Sequence, residues 1–154
     1  VIVRTAERRD LDAVAERLLA LDVHGHGLDA RHEVPTEPRI WRNTVEWMLF
    51  DPHQLVPGGW VATDGDALVG VLVGELRRGE VALGHPPRPV VQMVWVDPAA
   101  RRQGVGKALV TAFVAAAEAR GGVGCEVSTL AADAAALGFW RALGFADLYV
   151  RLRR

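Results

Sequence analysis

Cysteine is nearly absent from this chain: Cys125 stands alone among 154 residues. No intramolecular disulfide can form, and a cytoplasmic setting is the expectation. A lone thiol in an apolar stretch reads as a small buried strand residue rather than a nucleophile. Long apolar runs are missing as well. Half of the residues are hydrophobic, yet no stretch reaches the roughly 18 residues of a membrane helix, and no secretory leader pattern is visible. The formal net charge is only −1, with arginines scattered except in the tail Arg151-Leu152-Arg153-Arg154. That balance gives no basic stripe for nucleic acid, and the tail reads as a solvated end. His24, His26 and His32 fall in a glycine-bearing stretch without metal-ligand spacing, so no metal site is expected. Tyrosine occurs once, at Tyr149.

What is present fits one α/β domain over residues 1–154. A strand at Ile2-Val3-Arg4 precedes a helix that Asp10 can cap, with Leu11, Val14, Leu18 and Leu21 on its apolar face. Glycines and prolines over residues 22–38 predict that this helix has ended. A second helix is predicted from Arg39 to Phe50, with Ile40, Trp41, Val45, Met48 and Leu49 as its stripe. Residues 60–76 read as a hairpin turning at Asp64-Gly65-Asp66. Residues 90–96 are almost wholly apolar, as a central strand buried on both faces should be. A helix follows Gly104 and stops at Gly121-Gly122. A strand over 125–130, a helix from Asp133 to Gly144 and a last strand over 145–152 complete the order β-α-α-β-β-β-α-β-α-β. This order predicts a mixed central sheet with flanking helices.

The densest chemical signal lies at residues 90–110. An apolar strand ends at Val96, the chain turns at Asp97-Pro98, and a basic glycine loop opens a helix. Free N–H groups at a helix N-terminus, the helix dipole and glycine's small size make this an anion site. The amides of Arg102, Gln103, Gly104, Val105, Gly106 and Lys107 are the expected cradle. A nucleotide-triphosphate loop would need glycine at position 101 and a hydroxyl after Lys107, where Arg101 and Ala108 stand. A dinucleotide fingerprint would need a third glycine where Leu109 stands.

The remaining pattern, Arg101-x-x-Gly104-x-Gly106, resembles the acyl-CoA pyrophosphate loop of the GNAT superfamily of N-acetyltransferases. A second block supports the resemblance: Asp133, Ala136, Trp140, Gly144 and Phe145 fall on the family's final motif, Asn-x-x-Ala-x-x-x-Tyr-x-x-x-Gly-Phe. The resemblance is specific over residues 90–150. It implies a GNAT-like fold in which strands 90–96 and 125–130 splay around the pantetheine arm. It implies acetyl-CoA as co-substrate and a primary amine of a small molecule or protein as acceptor. Main-chain groups of Val94, Trp95 and Val96 would meet the acyl end. A catalytically silent acyl-CoA-binding module, or a transferase using another acyl-CoA, is the alternative. Neither a nucleic acid nor a membrane is an expected partner, and a homodimer is an admissible assembly.

Three departures from the family bear on the chemistry. Asp133 replaces the usual asparagine and reads as a helix N-cap as well as a cofactor contact. Trp140 replaces a tyrosine held to protonate the departing thiolate; an indole donates a hydrogen bond but is no general acid. Trp140 is therefore expected to be a packing wall beside the cofactor, with Tyr149 as the one phenol that could substitute. Gln92 stands where several members carry a glutamate base and cannot accept a proton. Glu75 and Glu126, on the adjacent strands, are the nearest alternatives by chain position, and a pocket histidine is another.

Overall fold

The computed structural model describes residues 1–153, with Val81 described by its backbone alone. Arg154 of the basic tail lies outside the described residues. The elements are β1 (Ile2–Thr5), α1 (Leu11–Leu28), α2 (Pro38–Phe50), β2 (Gly59–Asp64), β3 (Ala67–Arg77), β4 (Arg88–Val96), α3 (Val105–Glu118), β5 (Glu126–Val127) and α4 (Ala134–Ala142). The five strands form one mixed sheet in chain order, antiparallel from β1 to β4, with β5 parallel to β4.

Strand alternation sends successive side chains of β3 to opposite faces. Val71 and Val73 meet α1 and α2, where Leu11, Val14, Leu18, Val45 and Leu49 complete one core. Leu72 points the other way and joins Val91, Leu109, Phe113 and Trp140 beneath α3 and α4. Each fully buried Val, Leu or Phe contributes about 1.5–3 kcal/mol, so both faces of the central strands are needed to hold the sheet. Trp41 anchors α2 to α1 by donating from Nε1 to the carbonyl of Ala15 at 2.9 Å. Ile40, expected in the apolar stripe of α2, is exposed instead. Pro38 opens α2 at a position where its missing N–H costs nothing.

Several local expectations are corrected. The first helix does not end near residue 22; it continues through His24-Gly25-His26-Gly27 to Leu28. A helical glycine costs only about 1 kcal/mol relative to alanine, and Gly25 has a packing reason. A Cβ there would lie 2.8 Å from His32 Cδ2 and 3.1 Å from Leu130 Cδ1. Asp10 occupies the N-cap position of α1 without capping that helix through its side chain. Its carboxylate accepts from the Glu7 amide at 2.7 Å and from both terminal nitrogens of Arg4, at 2.7 and 2.8 Å. These bonds hold the Asp10 carboxyl below its usual range, the Arg4 contact acting against desolvation by burial.

The strand expected over 125–130 is hydrogen bonded only at Glu126–Val127. The last strand, expected over 145–152, does not form: these residues have no sheet partner and expose Leu148, Tyr149, Val150 and Leu152. Alternating polarity marks a segment able to pair, but a ladder also needs an edge in register, which β5 ends too early to supply. The tail instead runs to the loop after α1, where Arg153 donates to the Arg31 carbonyl at 3.1 Å and to Glu33 at 3.0 Å.

Candidate functional site

The site begins where β4 and β5 part. Val90 pairs with Glu126 and Val91 with Val127, and pairing stops there. β4 continues for five more residues, Gln92 to Val96, hydrogen bonded to β3 alone. At the parting point β4 carries an extra residue: Val73 faces Met93 and Gly74 faces Val91, so Gln92 is a bulge. A bulge bends a strand and re-aims its side chains; here Gln92 is exposed in the middle of a central strand. Val94, Trp95 and Val96 are only half-buried, against the expectation of a strand covered on both faces. The cause is the missing neighbour, which leaves one edge of β4 open.

The glycine loop closes the far end of this open edge. Arg102 has φ +64° and Gly104 φ +82°, both left-handed. Alternating a left-handed residue with ordinary ones turns consecutive amides toward one side, the geometry of an anion nest. Among the described residues no backbone or side-chain acceptor within hydrogen-bond range takes the N–H groups of residues 102–107, so six backbone donors are free at the start of α3. The two glycines have different reasons. A Cβ on Gly104 would meet nothing within 4 Å, so that side is open to a ligand. A Cβ on Gly106 would lie 3.1 Å from Phe139 of α4, so Gly106 serves the close approach of two helices.

The loop is tied to the strand by a network the sequence reading missed. Asp97 accepts from Arg17 Nε at 3.1 Å, from Arg17 Nη2 at 2.9 Å and from Trp95 Nε1 at 3.1 Å. Arg17 also donates to the carbonyl of Leu68 at 2.6 Å, which pins α1 to the β3–β4 edge. The Arg101 guanidinium lies 4.9 Å from the Trp95 ring centroid and donates from Nε to the Val96 carbonyl at 3.0 Å. Arg101 thus braces the loop against the strand end. Lys107 is exposed on the first turn of α3. An acid directly before Pro98 and an arginine on the first helix were the available signals for Asp97 and Arg17, but their pairing spans 80 positions.

Asp133 caps α4, accepting the Ala136 amide at 2.9 Å. Its other oxygen, Oδ2, lies 3.4 Å from His24 Nε2. Trp140 is 7 % exposed and packs edge-on against Phe139 and Phe145, with centroids 4.8 and 5.1 Å away. Glu75 and Glu126 are both level with Val90, where the strands are still joined. Each is held by an arginine, Glu75 by Arg77 at 2.7 Å and Glu126 by Arg88 at 2.6 Å. Tyr149 is 86 % exposed in the tail. The structure joins the loop to the end of β4 and sets His24 beside Asp133; Glu75 and Glu126 lie where the strands are still paired, and Tyr149 is exposed in the tail. Burial pushes the Cys125 thiol up to about 11. No group of metal-ligating side chains occurs among the described residues, and no described helix is long and apolar enough to cross a membrane.

The family model of the acetyltransferase (GNAT) family matches residues 20–145. The chain belongs to the GNAT family. Among solved structures it resembles a transcriptional regulator from Bacillus halodurans C-125, at 25% identity and TM-score 0.79, covering 100% of this chain and 98% of that one. A possible acetyltransferase from Clostridium difficile 630 aligns at 18% identity and TM-score 0.78, over 99% of this chain and 95% of that one. An aminoglycoside acetyltransferase from an uncultured soil metagenomic sample, in complex with sisomicin, aligns at 17% identity and TM-score 0.72, over 99% and 94%. Among curated proteins none matches. The last two likenesses establish the fold alone, and the fold agrees with the family in its mixed sheet and four helices.

Proposed function

We propose that this GNAT chain is an acetyl-CoA-dependent N-acetyltransferase whose acceptor is a primary amine on a small molecule or protein. The observation that carries the reading is the continuity of the amide nest at 102–107 with the unpaired edge of β4 at 92–96. A pyrophosphate on the nest would leave a pantetheine arm free to run along that edge as a surrogate strand. The loop amides would hold the phosphates, and Lys107 stands near enough in sequence to add charge. Along the open edge at residues 94–96 the free main-chain groups would be those of Val94 and the N–H of Val96, since Trp95 faces β3 and the Val96 carbonyl accepts from Arg101; these would orient the thioester. Acetyl-CoA supplies the activated acyl group.

Transfer in this reading is direct. The amine attacks the thioester carbon, the C–N bond forms, and the C–S bond breaks with its electron pair leaving on sulfur. An acyl-enzyme on the single cysteine is disfavoured, because burial keeps the Cys125 thiol protonated. A thiolate is a tolerable leaving group, since an ordinary thiol has a pKa near about 8.5. This removes the need for an acid at Trp140.

The test has two arms. Acetyl-CoA should raise the melting temperature, as a native-state ligand must. Thiol release from acetyl-CoA should depend on added amine across a panel that includes sisomicin and simple diamines. A melting temperature unmoved by saturating acetyl-CoA would refute the reading.

A further inference from the structure

We propose that His24, oriented by Asp133, accepts the proton of the attacking amine; this rests on the acetyl-CoA reading above. Beyond Val127 the chain leaves the sheet and runs through Leu130 to Asp133 along the far side of the gap that β5 vacates. The last turns of α1 pack against that segment, since a Cβ on Gly25 would touch Leu130 at 3.1 Å. The His24–Asp133 contact at 3.4 Å therefore ties α1, which packs on one face of the sheet, to α4 on the other. The pair thus stands beside the segment that leaves the sheet after Val127, and in this proposal it faces the free edge of β4 along which the thioester would lie.

The chemistry of the pair follows from which oxygen does what. Oδ1 of Asp133 is committed to the α4 cap through the Ala136 amide. Oδ2 is left to accept from His24 Nε2, and that contact can close to a charge-assisted hydrogen bond when the ring takes a proton. A donor at Nε2 leaves Nδ1 as the basic nitrogen. As the amine nitrogen bonds to the acyl carbon, its proton passes to Nδ1 and the thiolate departs with the C–S electron pair. Asp133 is a positioning residue that sets the tautomer and stabilises the imidazolium. His24 is half-exposed, so it can exchange its proton with solvent between turnovers.

The other titratable groups nearby are otherwise engaged. His32 lies 2.9 Å from Asp22, and His26 Nδ1 contacts the His32 carbonyl at 2.8 Å. Among the described residues no arginine or lysine pairs with His24 or Asp133. Glu75 and Glu126 sit at the closed end of the gap in arginine ion pairs.

Nitrogen-15 NMR of the histidine rings in the full chain tests this without needing an acceptor. The wild type should show His24 as the Nε2–H tautomer. Acetyl-CoA should shift its ring signals, whereas adenosine 3′,5′-bisphosphate, which lacks the pantetheine arm, should shift only the loop amides near Gly104 and Gly106. Asp133→Asn retains a capping oxygen but turns an amide N–H₂ toward His24, so the ring should change to the Nδ1–H tautomer. An Nδ1–H ring in the wild type, or a ring indifferent to acetyl-CoA, overturns the proposal. Loop amides that respond to neither ligand overturn the cofactor reading itself, which is a distinguishable result. With any amine that the wild type acetylates, His24→Gln should lower kcat/KM at least about a hundredfold and abolish its rise with pH, with acetyl-CoA affinity kept. An unchanged rate and profile would equally overturn the assignment.

Discussion

Replacing Gly104 with valine should destabilise the protein modestly and abolish acetyl-CoA binding completely. Gly104 has φ +82°. An L-residue in that region costs roughly 1–2 kcal/mol, and a β-branched one lies at the upper end. At about 2–4 °C per kcal/mol for a chain of this size, the melting temperature should fall by about 4–8 °C. The binding effect is steric. Nothing lies within 4 Å of a Cβ at Gly104, so the new side chain would project into open space beside the loop, where the proposed reading seats the pyrophosphate. Acetyl-CoA at a hundredfold excess over its Kd should stabilise the wild type by about 2.7 kcal/mol, or roughly 5–10 °C, and the variant not at all. Gly106→Ala is the internal control. Its methyl would lie 3.1 Å from Phe139 Cε2 and Cζ and 3.6 Å from Val96 Cγ2, facing protein rather than ligand. The gain in helix propensity, about 1 kcal/mol, offsets the tight ring contact, and the acetyl-CoA shift should persist. Differential scanning fluorimetry with and without acetyl-CoA measures all of this. A full ligand shift in Gly104→Val would refute the assignment of the nest to the cofactor.

Trp140→Phe should lose about 1–3 kcal/mol from the core beneath α4, with kcat within about a hundredfold of wild type on any accepted amine; a larger kcat loss in a folded variant would give the indole N–H a chemical role. Tyr149→Phe should leave the pH profile untouched, because the phenol is exposed in the tail; loss of a high-pH limb would make Tyr149 the general acid. Asp10 has a folded pKa lowered chiefly by the Arg4 hydrogen bonds. Its contribution is therefore present above the ordinary aspartate range and lost as pH falls through the folded value. Urea midpoints of wild type and Asp10→Asn should differ at pH 7 and converge in acid. Cys125, with its thiol pushed up to about 11 by burial, should react with a disulfide reagent at pH 8 about a hundredfold more slowly than in the unfolded chain.

The local order of elements and the loop were legible in the sequence because short-range physics determines them. Apolar arms on either side of Asp64-Gly65-Asp66 marked the hairpin and its turn, and Arg101-x-x-Gly104-x-Gly106 placed a glycine loop at the start of α3. The N-cap at Asp133 was legible for the same reason: a carboxylate three residues before a free helix amide has one obvious partner. What the sequence could not decide were the contacts between distant segments. Whether residues 145–152 become a strand depends on a free edge in register, and β5 ends at Val127. Whether α1 stops at its glycines depends on what packs against Gly25, which is His32 and, from far along the chain, Leu130. Glu75 and Glu126 seemed suitable as bases by strand position alone. Strand register placed them at the closed end of the gap and neighbouring arginines paired with them. The tertiary structure alone set His24 beside Asp133 and Arg17 beside Asp97, because charge pairing across a fold depends on where the backbone carries two side chains and leaves no periodic trace in sequence.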